Sequence, residues 1–351
     1  MTKARGRVLF VPVSGPRGMG EYARALALAS AASARWPQLE VHFAVSAQAP
    51  YAQNMPFPAT VLPSSPTFHT PEVQALIRDF RPTLVIFDNA GRTAQLRAAV
   101  RSGARVVYVS SRPRQRRKAF RIHWMRMLDE HWIAYPEFIA GSLGWLERMK
   151  LSWVARPSVH FLDAILPPRD PTLSQTMMAR YAVQPNEYVL VVPGGGTDHP
   201  GAEDAPRIVA NAARRIAEGG VTTILVGVTP DQGVSTLRAA PRMPMAMLGE
   251  LIRGARVVVS NGGDTLLQTL VCGRPCVAVP IAGDQAHRIN ACVQRGFALR
   301  APLDEARLAE MTLTLLANQQ QSEALVAKLA ESGIRNGMDV ALNSIARLAL
   351  R

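Results

Sequence analysis

Short Val-rich runs alternate with helix-period stretches along most of this chain, and that alternation leaves few folds open. The runs lie at Arg7 to Val13, Val41 to Val45, Thr83 to Phe87, Arg105 to Val109, Tyr188 to Val192, Thr222 to Val226, Arg256 to Ser260 and Cys276 to Val279. Each is close to continuously apolar, as expected of parallel strands covered on both faces. Between several of them, apolar residues recur at helical spacing at Tyr22 to Ser33, Pro71 to Arg78, Thr93 to Ser102, Ala205 to Glu218 and Leu266 to Cys272. A βαβα order predicts an α/β fold with a doubly wound parallel sheet, and here it occurs twice. The proline-rich segment Phe161 to Pro171 cannot continue a helix and reads as the linker. We therefore expect two Rossmann-like domains, 1–165 and 170–351, a division that suits 351 residues. Residues 304–351 read as helical with a break at Asn336-Gly337, and whether the last helix packs back on the first domain is left open.

Composition narrows the class further. With 48% hydrophobic and 19% charged residues the chain is too apolar to be disordered. No apolar run approaches the roughly 20 residues of a membrane-spanning helix. The opening MTKARGRVLFVPVSG reads as a first strand and not as a leader, because Pro12 and the glycines cut its apolar run short. Cys272, Cys276 and Cys292 show no paired spacing, which favours a reducing, cytoplasmic setting with the thiols packed as small hydrophobes. Neither a zinc pattern nor a D-x-D pair is present, so no metal and no cofactor are expected.

The net charge is +14, from 40 Lys+Arg and 26 Asp+Glu, and it is concentrated. No acidic residue falls between Asp88 and Asp129, whereas that interval holds Arg92, Arg97, Arg101, Arg105, Arg112, Arg114, Arg116, Arg117, Lys118, Arg121 and Arg126. In SSRPRQRRKAFRIHWMRMLDEHWI the basic residues Arg114, Arg116, Arg117, Lys118 and Arg121 adjoin Phe120, Ile122, Trp124, Met125, Met127 and Leu128. Basic charge beside aromatic and Met side chains suits peripheral contact with an anionic membrane. In the competing reading the apolar residues are core and the arginines its rim. Nucleic acid is an unlikely partner, because no nucleic-acid-binding motif accompanies the patch.

In open α/β sheets, ligands gather where strands end and helices begin. Three glycine-bearing loops fall there. Ser14 to Glu21 (SGPRGMGE) is a candidate acceptor or phosphate loop through Arg17, Gly18 and Gly20, but it is not the dinucleotide fingerprint G-x-G-x-x-G. Gly194, Gly195, Gly196 and Thr197 follow a buried strand and would let a phosphate approach the main chain. Gly262, Gly263 and Thr265 open the helix from Leu266, whose dipole would favour a diphosphate.

From Gly262 to Ala298 the sequence GGDTLLQTLVCGRPCVAVPIAGDQAHRINACVQRGFA resembles the nucleotide-sugar signature of two-domain GT-B glycosyltransferases. It is most similar to the branch containing the N-acetylglucosaminyltransferase of peptidoglycan lipid synthesis. The stretch GMGEYARALALA resembles the amino-terminal G-x-G-H-x-x-R-x-L-A-x-A of the same superfamily, which includes a sugar-nucleotide hydrolase.

That resemblance implies two domains facing a cleft, and transfer of a sugar from a nucleotide diphosphate sugar, UDP by preference, to a lipid-linked or small-molecule acceptor. Transfer would be metal-independent and inverting. Alternatives are a nucleotide-sugar hydrolase or epimerase of the same fold, or an inactive binding protein. It implies that Gln268, where relatives carry a ribose-binding Glu, meets the ribose. Leu248 would read the base through its backbone, and Asp284 with Gln285 would face the sugar. His287 and His199 lie within plausible reach of the diphosphate. Glu21 stands where many relatives have a His and is a candidate base, or else a helix cap; Asp88, ending its strand, is the rival base. The setting implied is cytoplasmic, on the inner face of the membrane.

Overall fold

A computed structural model describes residues 6–16, 19–194, 202–230 and 234–350. The chain divides into two compact units, one comprising residues 1–165 together with 337–351 and the other residues 166–336.

The first unit is built on a seven-stranded sheet. Its strands are β1 (Arg7–Pro12), β2 (Glu40–Ser46), β3 (Ala59–Leu62), β4 (Leu84–Asp88), β5 (Arg105–Ser110), β6 (Glu130–Ile133) and β7 (Ser158–Phe161), in the order β3-β2-β1-β4-β5-β6-β7. Every pairing is parallel, for example Val8 with both Val41 and Leu84. Because parallel strands need crossovers, each face of the sheet is covered by chain, and Leu9, Val11, Val85, Phe87, Val106 and Tyr108 are buried in one core. Full burial of such side chains contributes roughly 1.5–3 kcal/mol apiece.

The final helix, Met338–Ala349, packs against the helix Gly20–Arg35. Its end lies so close to Gly6 that a Cβ there would meet Leu350 and the Ala349 carbonyl. Arg347 of this helix pairs with the buried Glu130 of β6.

The segment expected at a membrane is divided by burial. Phe120, Trp124, Met125 and Leu128 are inside, with Trp124 and Leu128 in the same core as β4 and β5. They form the floor of the unit and cannot enter a lipid layer. Arg116 is also removed from the patch. Its guanidinium donates to Glu147 at 2.6 Å and 3.0 Å and to the carbonyls of Ala140, Gly141 and Ser142. Of that segment's apolar residues Ile122 faces solvent, and it is joined by the helix Trp145–Val154, none of whose residues is buried; Trp145 is 67% and Trp153 71% exposed.

The second unit repeats the plan with six parallel strands: β8 (Val189–Val192), β9 (Thr223–Val226), β10 (Leu237–Ala240), β11 (Val257–Asn261), β12 (Cys276–Val279) and β13 (Leu299–Arg300), in the order β10-β9-β8-β11-β12-β13. The helix Ala205–Glu218 buries Val209, Ala213 and Ile216 on the side of the sheet also covered by Glu305–Ala317. On the other side Tyr188, Leu190 and Val258 meet Met177, Met178, Leu251 and Ile252. Cys276 and Cys292 are buried and Cys272 partly so. Burial raises their thiols to about 12, about 12 and about 11, which leaves them protonated and inert near neutral pH.

Candidate nucleotide-sugar and acceptor sites

In each sheet the strand order reverses at the centre, between β1 and β4 in the first unit and between β8 and β11 in the second. The carboxyl ends of those strands are where a doubly wound sheet offers a crevice to a ligand.

In the second unit that place is occupied by two glycine loops that approach each other at Asn261. Gly194, after β8, has φ +125°, a conformation that side chains avoid, and a Cβ there would collide with the Asn261 amide. Asn261, ending β11 and buried, accepts the Gly263 N–H at 3.0 Å. Gln285 closes the other side, its buried carbonyl oxygen accepting the N–H groups of Gly262 at 3.3 Å and Ile281 at 2.9 Å. The helix Gln285–Val293 comes so near that a Cβ on Gly262 would lie 2.7 Å from that of Gln285. Glycine is thus required at 194 by conformation and at 262 by approach.

This arrangement corrects several expectations. Gln285 spends its side-chain carbonyl on two backbone amides, which leaves only its NH2 group for a sugar. The Gly262 and Gly263 N–H groups are already donated, so a diphosphate at this loop is left the turn that follows, where the helix Asp264–Val271 begins and Thr265 lies in its first turn. Leu248 is inside the helix Met245–Gly254 with its N–H on the Pro244 carbonyl at 3.1 Å, so that group cannot read a base. Gln268 is buried, and its amide approaches the Met245 sulfur at 3.4 Å.

Asp284 and His287 are exposed. Asp284 pairs with Arg288 at 2.9 Å, and the Arg288 Nε donates to the Gly262 carbonyl at 2.6 Å, which fixes a guanidinium beside the glycine loop. Arg288 escaped sequence reasoning, although its i,i+4 spacing from Asp284 was the available signal. Gly195, Gly196, Thr197 and His199 lie outside the described residues, as do Arg17 and Gly18 of the other loop.

The equivalent place in the first unit carries charge. Asp88 ends β4, buried, and receives the Arg24 guanidinium through two bonds of 2.8 Å and 2.9 Å. A carboxylate held this way anchors the helix Gly20–Arg35 to the sheet and is not placed to take a proton from an acceptor. Gly20, expected in the loop, is the first helical residue, which puts Glu21 inside the first turn. Glu21 accepts the Asn89 amide at 2.9 Å, and the Arg112 guanidinium stands 3.8 Å away. Asn89 has a left-handed backbone, φ +51°, tolerable for Asn, and its carbonyl oxygen accepts the Ser111 N–H at 2.9 Å. Glu21, Asn89, Ser111 and Arg112 thus join the ends of β4 and β5 to the first helix.

Beyond them, Lys118 donates to the Gly91 carbonyl at 2.8 Å and lies 4.2 Å over the Trp124 ring. Burial, then Arg92, Arg121 and Arg114, bring its ammonium down to about 8. Arg114, Arg117 and Arg121 are exposed.

No protein-family model and no curated protein matches the chain by sequence. Solved structures match it over nearly its full length. A UDP-glucosyltransferase from Polygonum tinctorium is 14% identical, with a TM-score of 0.66 covering 99% of each chain. MurG from Acinetobacter baumannii is 15% identical, with a TM-score of 0.60 over 97% of this chain and 99% of its own. A protein reported as a UDP-N-acetylglucosamine 2-epimerase from Listeria monocytogenes is 13% identical, with a TM-score of 0.59 over 97% and 95%. At these identities the likeness is one of architecture. Two parallel α/β units, each reversing its strand order at a loop-bearing centre, give this chain the GT-B fold.

Proposed function

We propose that the protein is a glycosyltransferase that moves a sugar from a nucleotide diphosphate sugar, UDP in the simplest case, to a hydroxyl of a lipid-linked or small-molecule acceptor. The observation that carries this reading is the Gly262–Gly263 loop, clasped by the Asn261 and Gln285 amides and closely approached by Gly194, at the switch point of the second unit. There the first turn of Asp264–Val271 brings the positive end of a helix dipole, and Arg288 a fixed cation, to a departing diphosphate. Those two sources of positive charge suit a reaction that needs no metal or cofactor. In the first unit Glu21, held by the Asn89 amide, takes the proton of the attacking hydroxyl, and attack from the face opposite the diphosphate inverts the anomeric carbon.

The test is calorimetric titration with UDP. Gly263→Asp adds a carboxylate at the head of the helix, where even a Cβ would lie 2.9 Å from the Asn261 oxygen. We expect binding to be lost, and UDP affinity equal to that of the parent would overturn the assignment. Rapid release of free sugar and UDP without any acceptor would mark a hydrolase instead.

The same reading places the protein in the cytoplasm, in peripheral contact with an anionic membrane. Trp145, Leu146 and Trp153 are exposed on a helix tied to Arg116 and packed near Ile122–Met125, with Arg117, Arg121, Arg126 and Arg148 exposed on these segments. Aromatic rings with a basic border suit the headgroup region. Replacing Trp145 and Trp153 by Ala should cut cosedimentation with phosphatidylglycerol vesicles about tenfold or more, since each buried ring is worth roughly 1.5–3 kcal/mol. An unchanged partition would remove the membrane from the account.

A further inference from the structure

Four cations at the carboxyl ends of β4 and β5 remain unexplained by packing. Lys118 is held firmly. Its ammonium donates to the carbonyl of Gly91, in the turn after β4, and faces the ring of Trp124. That ring is itself fixed, fully buried and donating to the Thr93 hydroxyl at 3.0 Å. An ammonium has three N–H donors, and these contacts do not use them all.

Arg92 follows directly on Gly91, Arg114 stands one turn before Lys118 on the helix Pro113–Ala119, and Arg121 lies three residues after Lys118. Arg92 is oriented by the Thr67 carbonyl at 3.1 Å and by the Phe68 ring, 5.7 Å from its guanidinium. Among the described residues none of the four has a carboxylate partner. Their neighbours differ: Arg116 is spent on Glu147 and three carbonyls, and Arg112 stands by Glu21. Four like charges gathered without a counter-charge repel one another, and a bound polyanion removes that repulsion. The turn that supplies Gly91 begins with Asn89, the residue holding Glu21.

We propose that Lys118, Arg92, Arg114 and Arg121 form a subsite for a phosphate or diphosphate group of the acceptor. The word acceptor rests on the glycosyltransferase reading; the phosphate chemistry does not. The group would enter between Lys118 and the exposed guanidiniums of Arg114 and Arg121, near Glu21, which is hydrogen-bonded to Asn89, two residues before Gly91. An acceptor bearing phosphate is thus bound by its anionic end in the unit that carries the base, apart from the loops that hold the nucleotide.

The test is site-specific. The chain has four lysines, Lys3, Lys118, Lys150 and Lys328, so acetylation by limiting acetic anhydride at pH 8 can be followed at each by mass spectrometry. An anion beside a charged group raises the pKa of an ammonium by about 1–3 units, so inorganic pyrophosphate should slow labelling of Lys118 about fivefold or more. Lys150 and Lys328 should be unaffected. In Arg114→Ala/Arg121→Ala, both exposed positions, the protection should disappear. Protection by phosphatidylglycerol vesicles but not by pyrophosphate also supports the subsite and assigns its phosphate to a lipid headgroup. Absence of protection by either overturns it. UDP titration of the same protein separates the two readings: UDP binding without Lys118 protection sinks the subsite alone, and protection without UDP binding sinks the donor assignment alone.

Discussion

The two units order their strands alike around β1 and β8, yet the ends of those strands are filled by opposite means. In residues 166–336 the centre is mostly backbone: glycines with an Asn and a Gln, held by amide hydrogen bonds, and beside them one arginine, Arg288, paired with Asp284. In residues 6–165 it is ionic, with Arg24 on Asp88, Arg112 by Glu21, and Lys118 among arginines. A common fold therefore supplies only the position of the loops, and the side chains placed there decide what each can bind. A loop lined mainly by backbone accepts a ligand chiefly by shape and dipole, while one crowded with charged side chains selects by charge and is costly to disturb.

The sharpest way to break this contrast is Asp88→Ala. It leaves the buried Arg24 without its carboxylate, and removal of one partner of a buried pair costs about 3–5 kcal/mol. Urea unfolding of the first unit should show that loss. If Asp88→Asn instead unfolds like the parent while turnover collapses, Asp88 is a catalytic group and the anchoring role is wrong.

Acid should divide the units next. His131 is fully buried in β6 against the Ser110 hydroxyl, and burial, then Arg116, lowers it to about 3; burial also lowers His42 and His160. Between about 3 and the ordinary value near 6.5, the unfolded first unit binds protons that the folded one refuses. Its stability is therefore lost as pH falls through that window. The one described histidine of the second unit, His287, is exposed. Hydrogen exchange should report opening of the first unit at a pH where the second stays protected, and simultaneous opening would contradict this.

Gly194→Ala is the mildest of the three. It forces a Cβ toward the Asn261 amide at φ +125° and should cost about 1–3 kcal/mol, read as a lower melting temperature of the second unit with weaker UDP binding. Lys118 reactivity should not move. A variant of parental stability would mean that the two glycine loops are not interlocked.

Much of this was legible because parallel core strands leave a plain trace. The Val-rich runs at Arg105 to Val109 and Cys276 to Val279 coincide with β5 and β12 to within a residue. β6, Glu-His-Trp-Ile, was not recognised because its polar residues are buried by partners far along the chain. Glu130 finds Arg347 and His131 finds Ser110, and no local pattern announces either. The short edge strands β3, β7, β10 and β13 lack a continuous apolar run for a related reason: one side of each has no neighbour to demand it. At the sites, residue type predicted location better than direction. Gln285 and Leu248 are near the glycine loops or their flanking helix, but hydrogen bonds to backbone, invisible in a linear pattern, consume the Gln285 side-chain carbonyl and the Leu248 N–H. The basic segment misled in the same way. Trp124 and Leu128 filled a core, while the exposed indoles lay on a later helix.

The last helix carries a consequence for how the chain is made. Within the second unit Leu166 and Asn336 bond to each other at 3.1 Å and 2.6 Å, and within the first Gly337 donates to the Ala164 carbonyl at 2.8 Å. The second unit thus begins and ends at one spot and is, topologically, an insertion into the first. During synthesis, with domains closing as they emerge, residues 166–336 can complete their sheet on release, but the unit begun earlier must wait for residues 338–349 before Glu130 meets Arg347. The half translated first is the last to finish, and for that interval Glu130 is without the arginine that pairs it in the finished fold.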